Sequence, residues 1–120
     1  MNRILIVEDE ENLASFIEKG LKKRGFHTTL AADGNQALEA AKAQIYDAIL
    51  LDLGLPVKDG WMVLKELRDR GDFSPVIVMS AMGDLRQEVL AKQANDYLQK
   101  PFRFTELLAA IARQITEAPR

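Results

Sequence analysis

The chain has 120 residues, 48% hydrophobic and 28% charged, with a net charge of −2 at pH 7, which suits one domain with its own buried core. It has no cysteine and one histidine, His27, which excludes disulfides, thiolate nucleophiles, zinc–thiolate centres, iron–sulfur clusters and paired-histidine metal sites. The near balance of acids and bases argues against a strongly basic nucleic-acid binder, and the longest apolar run, 107–112, is far short of the ~20 residues of a membrane-spanning helix.

Short β-branched runs alternate with amphipathic stretches. The first run, Ile4-Leu5-Ile6-Val7, predicts a strand over 3–8. Leu13, Phe16, Ile17 and Leu21 then recur at helical spacing, and Gly25 stops that helix, predicted over 11–24. A weakly hydrophobic strand follows at 27–32, then a helix at 35–43. The run Asp47 to Leu51 marks a strand over 46–52, and a helix spans 59–70. Val76 to Met79 marks a strand over 75–80. A helix at 84–92, a weak strand at 95–98 and a helix at 103–116 complete the series. The last helix carries the apolar stripe Phe104, Leu107, Leu108, Ile111 and Ile115. Runs that are apolar on both faces belong to parallel strands covered on both sides. Five strands alternating with five helices therefore predict an α/β fold, a three-layer sandwich around a mostly parallel sheet. The two weak strands, 27–32 and 95–98, are expected at its edges. The domain is expected over 1–117, with 118–120 a tail or the start of a linker. The acidic turn after four apolar residues does not fit a signal peptide, so the expected compartment is the cytoplasm.

In such sheets ligands bind beyond the carboxyl ends of the strands. Glu8 and Asp9 follow the first strand, Asp52 ends the third, Ser80 ends the fourth and Lys100 follows the fifth. Clustered carboxylates repel one another unless a cation compensates. Mg²⁺ suits a small open set of carboxylate oxygens because it keeps several of its waters. With Lys100 on the other side, such a site could hold a phosphoryl group. Asp52, on the central strand, is the best placed carboxylate nucleophile.

Taken together, four segments resemble the receiver domain of two-component response regulators. They are Val7-Glu8-Asp9-Glu10; Leu51-Asp52-Leu53 with Pro56 and Asp59-Gly60; Met79-Ser80-Ala81; and Asp96-Tyr97-Leu98-Gln99-Lys100-Pro101-Phe102. The resemblance runs over essentially the whole chain. It is strongest to the subfamily joined to winged-helix DNA-binding domains. It implies a doubly wound, flavodoxin-like sheet of order 2-1-3-4-5. It implies that Asp52 is the phosphoacceptor, that Asp9 binds Mg²⁺ directly and Glu8 partly through water, and that the Gly54 carbonyl completes the protein's share of the metal shell. Ser80 would hydrogen-bond the phosphoryl group, Lys100 would pair with it, and Tyr97 would be a rotameric switch. Lys100-Pro101 resembles the family's cis peptide. The implied partners are a sensor histidine kinase and an output domain or protein. The latter would be reached through the face of the fourth helix, fifth strand and fifth helix, with a homodimer on phosphorylation as a further expectation. The domain would catalyse only its own phosphorylation and dephosphorylation, and would not itself contact nucleic acid or membrane.

Two departures bear on the fourth helix. The stretch from Ser80 to Lys100 is about two residues short of the family pattern, roughly half a helical turn, and Gln93 stands where a glycine is common. This helix is therefore expected to be short, displaced or mobile. Gly54 and Met82, two positions beyond Asp52 and Ser80, cannot orient an attacking water, so a long-lived phosphoryl group is expected. Of the competing readings, a haloacid-dehalogenase-type phosphatase needs a second acid where Gly54 stands. A flavin site would not tolerate the acids after the first strand, and no Walker-type loop occurs. A stand-alone or never-phosphorylated receiver-like protein-interaction module is the remaining alternative. Trp61 is read as a packing or partner-contact residue, His27 as non-catalytic, and Glu10 and Glu11 as solvated acids that also favour the positive end of the first helix.

Overall fold

The computed structural model describes residues 2–117, so the tail expected at 118–120 lies outside the described residues. Strands and helices alternate. They run β1 (Arg3–Val7), α1 (Glu11–Lys23), β2 (His27–Ala31), α2 (Gly34–Ala43), β3 (Ala48–Asp52), α3 (Gly60–Asp69), β4 (Val76–Ser80), α4 (Arg86–Ala91), β5 (Asp96–Gln99) and α5 (Phe104–Glu117). The five strands form one parallel sheet in the order β2-β1-β3-β4-β5. The weak strands are indeed its edges.

The strand alternation separates two cores. Leu5, Val7, Ile49, Leu51, Val76 and Val78 point to one face, where Ala37, Leu38, Val63, Leu64, Leu67 and Val89 of α2, α3 and α4 cover them. Ile4, Ile6, Ala48, Leu50, Ile77 and Met79 point to the other, against Ile17 and Leu21 of α1 and Leu107, Ala110 and Ile111 of α5. Every residue of β3 and β4 is buried, which is why these strands read as continuous apolar runs.

Side-chain caps set several boundaries. Glu10, read from sequence as solvated, accepts from the Asn12 and Leu13 amides and caps α1. Asp33 and Asp59 do the same for α2 and α3. The third strand starts two residues later than predicted. Tyr46 is already buried, but the Asp47 carboxylate turns back to accept from the Arg3 amide at 2.7 Å. The fourth helix also starts two residues late, because the Asp84 carboxylate accepts from the Arg86 amide in a local turn. The result is six residues with only Val89 buried, in keeping with the short helix expected.

Candidate functional site

The carboxyl ends of β1, β3, β4 and β5 lie side by side, and the chemistry sits there. The Glu8, Asp9 and Asp52 carboxylates each place an oxygen within 4.8 Å of the others. Glu8 and Asp52 are buried, at 4% and 6% exposure, whereas Asp9 opens to solvent. The Lys100 ammonium reaches in from the end of β5, 2.8 Å from Glu8 Oε1 and 3.3 Å from Asp52 Oδ1. Ser80 is buried beside them, and its Oγ accepts from the Met82 amide at 3.0 Å. The Gly54 amide donates to Asp52 Oδ1 at 3.3 Å. The Lys100-Pro101 peptide is cis. Residues 8, 9, 52, 54, 80 and 100, singled out from sequence, are thus all at one edge of the sheet.

Burial pushes the Glu8 carboxyl above its usual range, against the opposing effect of the Lys100 hydrogen bond. For Lys100, burial disfavours the charge, but the facing Glu8 and Asp52 carboxylates outweigh it and hold the ammonium above its usual pKa. Lys100 therefore stays charged as the counter-ion of this acidic pair. Sequence reasoning placed Lys100 opposite a phosphoryl group but did not foresee its closer pairing with Glu8. The signal was available: acids that cannot share a buried pocket alone recruit the nearest cation.

The loop after β3 is shaped around Asp52. A Cβ on Gly60 would lie 2.5 Å from the Asp52 carbonyl oxygen, so only glycine lets α3 start this close. Between them, Val57 takes a φ of +69° and the Lys58 amide bonds the Pro56 carbonyl at 2.7 Å. This is a three-residue γ-turn in its rarer, strained hand. Tyr97 points away from the acids, its hydroxyl within hydrogen-bond reach of the Gly83 (2.6 Å) and Met82 (2.9 Å) carbonyls.

One residue outside this site escaped sequence reasoning. The Arg68 guanidinium donates to the carbonyls of Gln93, Asp72 and Ser74 and to Asn95 Oδ1. It clasps the end of α3 to the α3–β4 and α4–β5 connections. A lone arginine on a helix reads as solvated charge; nothing in its spacing marked these acceptors.

A five-stranded parallel sheet with paired acids, a strand-end aspartate, a hydroxyl and a lysine at its carboxyl edge defines the receiver class of signalling domains. Residues 4–112 match the family model of the response regulator receiver domain, and the chain belongs to that family. It is 41% identical over 120 residues to the transcriptional regulatory protein PcoR of Escherichia coli, covering 98% of this chain and 53% of that protein. It is 40% identical over 122 residues to the response regulator ArlR of Staphylococcus saprophyticus, covering 100% of this chain and 55% of that one. The chain thus spans about half the length of these curated relatives. Among solved structures it superposes on a Francisella response regulator receiver domain with a TM-score of 0.91 at 33% identity, over 97% of this chain and 98% of that one. The receiver domain of the sensor histidine kinase PA1611 from Pseudomonas aeruginosa gives a TM-score of 0.87 at 39% identity, with the same coverage. That structure holds a magnesium ion in its active-site cleft.

Proposed function

We propose that this receiver domain accepts a phosphoryl group on Asp52 from a sensor histidine kinase and relays the change to a transcriptional output. The observation that carries this reading is the meeting of three carboxylates within 4.8 Å with an ammonium 3.3 Å from Asp52. The donor set is all hard oxygen, and Asp9 is open to water, which fits Mg²⁺. Glu8, Asp9, Asp52 and the Gly54 carbonyl would hold the ion. When bound, it neutralises charge on the phosphoryl oxygens.

The chain's own groups do the rest. A carboxylate oxygen of Asp52 attacks phosphorus as the bond from phosphorus to the donor nitrogen or oxygen breaks. The leaving group departs with that electron pair, and an acyl phosphate remains. Lys100 turns from Glu8 to the new dianion, a stronger charge-assisted partner. Ser80 Oγ, which accepts from Met82, retains its own proton to donate to a phosphoryl oxygen. Movement of Ser80 and of the loop 81–83 removes the carbonyls that hold the Tyr97 hydroxyl outward, freeing the ring to turn inward. The face of α4, β5 and α5 then differs between the two states, and a homodimer or an output domain reads it. The domain turns over no other substrate; it catalyses only its own phosphorylation and dephosphorylation. Transcriptional output is supported by relatives that are transcriptional regulators about twice this chain's length, and a cytoplasmic setting by their role.

Intact mass after treatment with acetyl phosphate tests the reading. We expect a gain of one phosphoryl group that requires Mg²⁺ and is absent in Asp52→Asn. No gain, where a known receiver reacts, would favour an interaction module that is never phosphorylated. Gly54 and Met82 offer no hydrogen bond to an attacking water, so the phosphoryl group is expected to persist well beyond seconds after the donor is removed. Loss within seconds would count against that.

A further inference from the structure

One flank of α3 is left open by the rest of the fold. Trp61, Lys65, Arg68 and Asp69 follow at helical spacing with Met62 beside them. With Lys92 and Gln93, just past the end of α4, they line a groove of about 420 Å³. From the α4 side, Lys92 and Gln93, which follow the six-residue helix, complete its lining.

Its walls are fixed and its rim is charged. Arg68 donates twice to the carbonyl of Gln93, at 3.1 and 2.9 Å, a residue that ends α4 at a φ of +67°, in the left-handed region that glycine favours. Gln93 thus stands at the groove's edge. The Lys92 ammonium lies 5.5 Å from the centroid of the Trp61 ring, and Met62 is 51% exposed. Lys65, with its side chain 76% exposed, pairs with Asp69 at 2.6 Å. The lining thus carries three cations, Lys65, Arg68 and Lys92, against one carboxylate, Asp69. Tryptophan, methionine and arginine are the residues enriched at protein interfaces, and rim lysines select a partner by charge. Three cations in a chain of net charge −2 are too few for a duplex, whose binders neutralise several phosphates.

We propose that this groove binds an acidic segment of a partner protein, with an apolar side chain seated on Trp61 and Met62 and carboxylates on Lys65 and Lys92. Its lining includes none of the residues of the phosphoacceptor edge.

Trp61 is the only tryptophan, so its emission reads the groove directly. A displayed random-peptide library is selected on the intact chain, and enriched peptides lacking tryptophan are titrated against that emission. Enriched peptides should carry several acids around a Phe or Leu anchor and shift the emission saturably. Their affinity should fall at least tenfold in the double variant Lys65→Glu, Lys92→Glu and be lost in Met62→Asp. All three side chains are exposed, so the variants keep the fold, checked by an unchanged thermal midpoint. Four outcomes would overturn the proposal: no enrichment, enrichment of basic or neutral peptides, equal binding by the double variant, or displacement of the peptide by duplex DNA or by self-association of the chain.

Discussion

At the scale of single residues, the costs sit close to the chemistry. Val57 is β-branched, 76% exposed, and held at positive φ in the turn after Asp52. That conformation costs about 1–2 kcal/mol for such a side chain, and glycine gives back part of the gain through its freer unfolded chain. Val57→Gly is therefore expected to raise the unfolding free energy by about 1 kcal/mol, read as a higher urea midpoint at unchanged slope. Gly20 is the opposite case. A Cβ there would run into the Phe104 ring, which stacks edge-on against Phe16 and lies under Arg24. Gly20→Ala should cost about 1–3 kcal/mol through overpacking, measured by the same denaturation. Neither position could be ranked from sequence. The backbone angle at Val57 follows from how tightly Gly60 draws α3 onto Asp52, and Gly20 matters through a ring 84 positions away in the chain.

Among the elements, α4 shows best what the sequence carried and what it hid. The missing residues between Ser80 and Lys100 were countable, and they announced a short helix. The helix's supports were not legible, because they are polar contacts at its two ends and not an apolar stripe along it. Asp84 starts it by accepting from the Arg86 amide, and Arg86 returns its guanidinium to the same carboxylate. The Arg86 hydrogen bonds hold the Asp84 carboxyl at about 2, down from 3.8. A carboxyl depressed on folding contributes stability above its unfolded pKa and loses it as pH falls toward the folded one. An NMR titration should place the Asp84 midpoint near 2 and return it toward 3.8 in Arg86→Ala, with the first turn of α4 loosening over that window. Arg68 supports the other end. Its partners lie 4, 6, 25 and 27 positions away, so no local pattern could mark it. Arg68→Ala leaves the partly buried Asp72 and Ser74 carbonyls without this donor and should destabilise the domain by about 1–3 kcal/mol.

Over the whole molecule, the two cores are separated by the sheet, and this was the most legible part of all. Alternation within β1, β3 and β4 assigns each side chain to a face, and the helix stripes supply the covering layers. The strand order came from the likeness of the site motifs to a known family, since hydrophobic runs alone do not say which strand neighbours which. Ile17 and Leu64 lie in different cores on opposite faces of the sheet. Ile17→Ala and Leu64→Ala should each cost about 2–5 kcal/mol. Their double variant should equal the sum to within about 0.5 kcal/mol, as measured by chemical denaturation. A larger discrepancy would mean the sheet transmits strain between its faces. The acidic edge was legible for the same reason as the sheet: each of its residues ends or follows a strand.

The lysine that balances the buried acids follows β5, the last strand of this sheet in chain order. A ribosome-bound or truncated chain that stops short of Asp96 has already made Glu8, Asp9 and Asp52 but lacks the lysine that pairs with Glu8 and Asp52. Burying Glu8 and Asp52 is then opposed by their own charge, and the sheet edge stays open until β5 docks. The acidic edge thus gains its protein counter-charge only when β5 docks, and α5 closes the second core after it.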